Sequence, residues 1–373
     1  MSYDRYVGLP VAEVPTPALI IDVAALESNV RTMGEACKVR GKSWRPHGKS
    51  HKSPPIARLQ LAHGAVGICA AKLAEAEVFV HAGVKDVLIT APVIGRAKAE
   101  RLLALYEAAP DLTIVADSSE NMHEIGAIAA ANGQTVNVLI DVNVGQDRTG
   151  VDSPDEAVAL ARVIGNRPWL RLLGIQAYAG THQHIVGFEP RRAAELESIG
   201  RAITVREALR TAGFPIHTLS AGGTGTFRAD LDAAGVTEIQ PGSFIFMDAH
   251  YRSIGNETGA VYTDFEPALT VMTTIISRPS RSRAITDGGN KVLPTDEGLA
   301  TPVGLTGVIY RPGGDEYGIL DVLKANQPLE VGDKLSFIPG HCDTTVNLFD
   351  RFYVARAGIV DAIWPVAARG CSE

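Results

Sequence analysis

Short apolar, β-branched runs recur through the first two thirds of the chain. They lie at Ala18–Asp22, Ser43–Pro46, Gly67–Ala71, Asp86–Ala91, Leu112–Asp117, Val136–Val142, Leu170–Gln176 and His217–Ser220. Their length and residue types predict buried strands. Between them the apolar positions fall three or four residues apart. Ala24–Val39 carries Leu26, Val30 and Met33; Lys72–Ala82 carries Ala76, Phe79 and Val80; Ala97–Ala108 carries Leu102, Leu103 and Tyr106; Pro190–Ala212 sets Ile199, Ile203 and Leu209 on one face. Strands alternating with such helices predict parallel βαβ units. About eight units in about 245 residues suit a closed (β/α)8 barrel of the TIM type, usually about 250 residues. A doubly wound open sheet would show G-x-G-x-x-G after its first strand, and nothing of that kind follows Asp22.

The pattern changes near Tyr262. Ala268–Arg278, Arg283–Gly288, Tyr317–Val322, Lys334–Pro339 and Arg351–Pro365 read as strands, separated by turns such as Pro312-Gly313-Gly314 and Val331-Gly332-Asp333, with no good helix between them. The expected organisation is therefore a barrel over residues 1–260 and an antiparallel β domain over 261–373. Composition narrows the function. In 373 residues, 46% hydrophobic and 21% charged, 35 Lys and Arg stand against 42 Asp and Glu, a net charge of −7. That balance argues against a nucleic-acid or anionic-membrane surface. No apolar run approaches the roughly 18 residues of a membrane span. Met1–Thr16 has no apolar signal core, so a cytoplasmic protein is expected. Cys37, Cys69, Cys342 and Cys371 are scattered and read as reduced thiols.

A barrel of this class carries its site at the carboxyl ends of its strands. After the second predicted strand comes Arg45-Pro46-His47-Gly48-Lys49-Ser50-His51-Lys52. Elsewhere this would read as a basic surface loop; at a barrel mouth, Lys49 among cationic neighbours suits a Schiff-base nucleophile. Asn143-Val144-Gly145-Gln146-Asp147-Arg148-Thr149-Gly150 offers Arg148 for an oxyanion. Tyr178, His182 and His184 follow the seventh strand and suit acid–base work. Ser220-Ala221-Gly222-Gly223-Thr224-Gly225-Thr226, and then Gln240-Pro241-Gly242-Ser243, suit a phosphate. A lysine facing a phosphate cradle makes a pyridoxal-phosphate (PLP) site. In the tail, Gly340-His341-Cys342-Asp343 would set His341 and Asp343 on one side if extended, a plausible divalent-metal pair, although an isolated H-x-D is more often a turn.

Taken together, these runs resemble the D-threonine aldolase family of fold-type III PLP enzymes, with the related 3-hydroxy-D-aspartate aldolases and D-serine dehydratases. The likeness begins at Thr16-Pro17 and Asp22 and passes through Arg45-Pro46-His47 with Lys49, His51 and Lys52, then Gly67-Ile68-Cys69 with Lys72 and Glu75. It continues through Gly145-Gln146 with Arg148 and Gly150, Gly174-Ile175-Gln176-Ala177-Tyr178, Gln183-His184 and Gly222-Gly223-Thr224-Gly225. Gly242-Ser243, Phe246-Met247-Asp248, Pro339-Gly340-His341-Cys342-Asp343 and Trp364-Pro365 complete it, nearly the whole chain in order. The resemblance implies an alanine-racemase-like architecture, in which the first strand can join the β domain, and a homodimer. It implies Lys49 as the cofactor-bearing lysine, Arg148 near the cofactor's phenolic oxygen and Tyr178 beside its ring. Gly222, Gly223, Thr224, Gly242 and Ser243 would hold the phosphate. His341 and Asp343 would hold a divalent metal (Mg²⁺ or Mn²⁺, with Zn²⁺ as the alternative), and His184 would be the base near the substrate hydroxyl.

The chain departs from the family at Ala71, Tyr317 and Ala179, positions that could line the substrate pocket. The leading expectation is retro-aldol cleavage of a D-β-hydroxy-α-amino acid, of D-threonine or 3-hydroxy-D-aspartate type, to glycine and an aldehyde. The alternative is a D-serine or 3-hydroxyaspartate dehydratase giving a 2-oxo acid and ammonia. Asp343 favours the aldolase, because the related D-serine dehydratases use His and Cys in this region. An amino acid racemase, with Tyr317 as its second base, and a PLP-carrier protein rank below these.

Overall fold

The computed structural model describes residues 3–373. The chain divides into two compact units: one of Thr32–Lys49, Pro54–Gly242 and Cys371–Glu373, the other of the residues up to Arg31 with Ser50–Ser53 and Ser243–Gly370. The first elements are β1 (Ala18–Asp22) and α1 (Val23–Val39). Asp22 ends the strand and caps the helix, its Oδ1 accepting from Ala24 N at 2.9 Å.

The first unit is a parallel barrel. Its elements are β2 (Ser43–Trp44), α2 (Pro54–Ala62), β3 (Ile68–Ala70), α3 (Leu73–His81), β4 (Val87–Ile89), α4 (Arg96–Leu105), β5 (Thr113–Ala116), α5 (Ser119–Asn132), β6 (Val136–Asp141), α6 (Pro154–Gly165), β7 (Leu170–Ala177), α7 (Phe188–Thr211), β8 (Thr218–Ala221), α8 (Phe227–Asp232) and β9 (Glu238–Ile239). The sheet order is β2-β9-β8-β7-β6-β5-β4-β3. Its two ends meet at a parallel bridge between His47 and Cys69, with Cys69 N donating to Pro46 O at 2.9 Å. Strands β3 to β6 are buried at every position, as strands covered on both faces must be. The helix starts follow local chemistry. Ser118 and Ser153 cap α5 and α6, accepting from Asn121 N and Glu156 N, and Pro154 opens α6.

The count of eight barrel strands holds, but the set differs from the sequence pattern. Ala18–Asp22 is not among them; the eighth is Glu238–Ile239, two residues long, which shows no periodicity to read. Inside the closing seam, Arg45 reaches Asp86 Oδ1 at 2.5 Å and Glu238 Oε2 at 3.1 Å.

The second unit holds β1, α9 (Ala249–Ser253), β10 (Leu269–Ser280), β11 (Arg283–Thr286), β12 (Thr301–Pro302), β13 (Ile309–Pro312), β14 (Gly318–Asp321), β15 (Lys334–Ile338), α10 (Cys342–Val346), β16 (Arg351–Arg356) and β17 (Ile359–Pro365). The order β13-β14-β11-β10-β1-β16-β17 continues through β15, which pairs with β10 and β12. The pairing is antiparallel except for β1 beside β16, which is parallel. The run Arg351–Pro365, expected as one strand, is a hairpin turning at Ala357 and Gly358, both at positive φ. A short helix, α10, interrupts the tail where none is expected. Among the described residues no helix is long and apolar enough to cross a membrane.

Candidate active site

The barrel's parallel strands bring the turns after β2, β6, β7, β8 and β9 to one end. Lys49 sits there, half-buried, in a 3-10 turn of Gly48–Ser50. Gly48 packs so closely on the Phe79 ring that a Cβ would lie 2.5 Å from its Cε2. Lys49 N donates to His47 Nδ1 at 3.4 Å, while His47 Nε2 meets Thr90 Oγ1 at 3.1 Å and Thr90 donates on to Ala70 O at 3.2 Å. An imidazole that accepts at Nδ1 and donates at Nε2 is neutral. His51 Nδ1 likewise accepts, from Ser53 N at 3.1 Å. The crowd of positive charge expected around Lys49 is thus thinner than the sequence suggests, because His47 contributes no charge to it.

The loops after β6 and β7 are tied together. Asn143 Oδ1 accepts from Gly145 N and Asp147 N, and its Nδ2 donates to Asp147 and Asp152. Gln146 Oε1 accepts from Gly180 N at 2.8 Å. The Arg148 guanidinium lies 5.5 Å from the Tyr178 ring centroid, a cation–π contact. Below them runs a buried polar chain that sequence reasoning missed. Glu238 accepts from Ser220, Gln240 donates to Ser220 and Gln176, Gln176 donates to Asp141, and Asp141 also accepts from Thr149. Burial raises the Asp141 carboxyl, against the lowering effect of those donors. Period-two strand positions reveal such residues only as breaks in apolar runs.

After β8, Gly222 is at φ +71° with Asp230 where a Cβ would stand, and a Cβ on Gly223 would lie 2.6 Å from Gln183 Oε1. Gln183, to which sequence reasoning assigns no role, faces this loop. Its Oε1 accepts from Gly225 N at 2.9 Å and its Nε2 donates to Thr226 Oγ1 at 2.9 Å. Arg191 Nε clamps Gly225 O at 2.7 Å. Thr224 is buried in the same loop. A glycine loop locked in one shape at a barrel mouth fits a phosphate group. His182 turns instead to Glu195, Nδ1 to Oε2 at 3.1 Å. His184 is half-buried at the end of the Gly180–His184 turn. Gly242 follows β9, and Ser243 begins a 3-10 turn in the second unit.

In the second unit, His341 is the N-cap of α10 and Asp343 stands in its first turn, so the segment is a helix start and not the extended strand that would align them by period two. They nonetheless interact. Burial lowers His341, but Asp343, a hydrogen bond to Asp296 and the charge of Asp248 outweigh it and raise the imidazole. Nδ1 meets Asp296 Oδ2 at 2.7 Å, and Thr344 Oγ1 donates to Asp296 Oδ1 at 2.9 Å. Asp248 caps α9 and accepts from Cys342 N at 3.0 Å. Among the described residues no three His, Cys, Asp or Glu side chains form a metal cluster. Cys342 is fully buried, and burial raises its thiol well above the ordinary range. Tyr317 is exposed between β13 and β14.

An eight-stranded parallel barrel with a lysine turn and a glycine loop, in a chain that also carries an antiparallel β unit, is the alanine-racemase-like class. Comparison with known proteins is specific. The alanine racemase N-terminal domain family matches residues 21–250 and a putative serine dehydratase domain matches 268–355. The chain is 36% identical to a 3-hydroxy-D-aspartate aldolase of Paracoccus denitrificans (strain Pd 1222), over 97% of this chain and 94% of that protein. The crystal structure of a D-threonine aldolase from Filomicrobium marinum superposes with a TM-score of 0.94 at 39% identity, covering 98% and 99% of the two chains. A D-threo-3-hydroxyaspartate dehydratase from Delftia sp. HT23 gives 0.86 at 28% identity, covering 95% and 98%. The chain belongs to the D-threonine and 3-hydroxy-D-aspartate aldolase family of fold-type III PLP enzymes. It is accordingly a PLP-dependent carbon–carbon lyase.

Proposed function

We propose that this enzyme cleaves a D-β-hydroxy-α-amino acid of D-threonine or 3-hydroxy-D-aspartate type to glycine and an aldehyde. Lys49 would hold the cofactor, Arg148 and Tyr178 would contact its ring, and Gly222, Gly223, Thr224, Gly242 and Ser243 would receive its phosphate. Bound there, PLP supplies an electron sink for the Cα–Cβ bond pair. His184 takes the proton of the β-hydroxyl as that bond breaks and the aldehyde leaves, and Cα gains a proton to give glycine. His341 and Asp343 would hold a divalent ion, Mg²⁺ or Mn²⁺ with Zn²⁺ as the alternative, which would supply Lewis acidity toward the hydroxyl. The donor chemistry fits. An imidazole braced at Nδ1 by Asp296 keeps Nε2 for a metal, and carboxylates surround it.

The observation that carries aldolase over dehydratase is Cys342. It is fully buried, burial keeps it a thiol, and its Sγ–H donates to Asp343 Oδ1 at 3.4 Å. Asp343 is then the anionic partner of His341. The dehydratase reading keeps its place through the Delftia enzyme. Purified holoenzyme with D-threonine, D-threo- and D-erythro-3-hydroxyaspartate and D-serine decides between them. Glycine and an aldehyde are expected; ammonia and a 2-oxo acid without glycine would reverse the assignment. A cytoplasmic homodimer completes the proposal, and light scattering on the eluting protein tests the dimer.

A further inference from the structure

Directly behind the loop Gly222–Thr226 lie two acids that the reaction does not use. Asp230, in α8, is fully buried; its Oδ2 accepts from Thr226 Oγ1 at 2.8 Å, and Thr226 Oγ1 in turn accepts from Gly223 N at 3.3 Å. Glu195, in α7 and also buried, is in hydrogen-bonding contact with Asp230. Asp230 Oδ1 receives no donor among the described residues. Two carboxyl groups in contact away from water need a proton between them. Burial raises both acids, and the charge of Glu195 raises Asp230 further. Burial lowers His182, which therefore offers Glu195 a neutral N–H.

We propose that Glu195 and Asp230 are positioning residues for the cofactor's phosphate: sharing one proton, they fix the Gly222–Thr226 loop and keep a second negative charge from forming beneath it. The inference rests on the reading of that loop as the phosphate site. The surrounding charges do not replace the proton. On α7, Arg191 aims its guanidinium at the carbonyls of Gly225, Ile185 and Gly187, a charge that stays constant across the pH range and cannot stand in for a proton that leaves, and Arg201 pairs with Glu197. From the turn after β7 comes neutral His182. On α8, Asp232 pairs with Arg40, and before β2, Lys42 donates to Ala233 O and Val236 O. When the pair loses its proton, two buried anions face a dianionic phosphate, and phosphate affinity must fall.

The test is PLP binding to the apoprotein from pH 6 to 9, with pyridoxal, which lacks the phosphate, measured alongside. In Glu195→Gln an amide replaces the shared proton and the pair keeps one charge throughout; Asp230→Asn does the same from the other side if the first variant fails to fold. Wild type and variant should bind PLP alike at pH 6. At pH 9 the wild type should bind about tenfold more weakly than the variant, with no such divergence for pyridoxal. A wild-type to variant ratio that is flat with pH for PLP would overturn the proposal while leaving the phosphate site in place. Equal affinities for PLP and pyridoxal in the wild type would overturn both.

Discussion

Lys49 has beside it an imidazole that its own backbone keeps neutral, since Lys49 N donates to His47 Nδ1. The residue types around the lysine were legible in the chain, and so was its place after a strand. The protonation of its neighbours was not, because Thr90 and Ala70, which settle His47, arrive from a different strand end. Gln183 makes the same point. Its turn shows two histidines and a tyrosine, and chemistry draws the eye to them, yet the amide does the work of holding the glycine loop. If Lys49 carries the cofactor, Lys49→Ala should lower kcat by about 10³-fold or more. It should also remove the visible absorbance of the lysine-bound cofactor while far-UV circular dichroism stays unchanged. A variant that keeps the wild-type visible spectrum would dismiss Lys49 from that role.

At the scale of elements, strongly periodic segments declared themselves. Pro190–Ala212 foresees α7 at Phe188–Thr211, and Ala24–Val39 foresees α1. Three short elements did not: β9, α8 and α10 are too short to repeat a period, and tertiary pairing makes them. α10 matters most for chemistry. Because His341 is a cap and Asp343 a first-turn residue, their alignment depends on Asp296 holding Nδ1 and on Asp248 holding Cys342 N. A two-ligand site of this kind binds a labile ion. EDTA should therefore abolish cleavage, Mn²⁺ or Mg²⁺ should restore it, and the cofactor's visible spectrum should persist throughout. His341→Ala and Asp343→Ala should each match the chelated enzyme. Full turnover in metal-free protein would take the ion out of the reaction.

For the barrel unit as a whole, the last strand to be recognised is the one that closes it. β9 joins β2 and β8, and its Glu238 shares Arg45 with Asp86 across the seam. Burial disfavours the Arg45 cation, and the two carboxylates more than restore it; burial raises Asp86 even with Arg45 against it. Arg45→Ala would leave the buried Glu238 and the half-buried Asp86 uncompensated, a loss of about 3 kcal/mol and a fall of roughly 10 °C in the unit's melting temperature. The pH dependence has a definite sign. An acid whose folded pKa lies above its unfolded value contributes stability below the unfolded pKa and loses it as pH rises through the folded one. Removing Arg45 raises Asp86 further, so the variant's deficit should be small near pH 4 and grow toward pH 8. Arg45→Met combined with Asp86→Asn and Glu238→Gln should recover much of the lost stability and flatten that slope. Thermal denaturation of the three proteins from pH 4 to 8 measures it. A deficit that is constant with pH would mean that Arg45 stabilises the seam by packing its methylene stem and not by its charge.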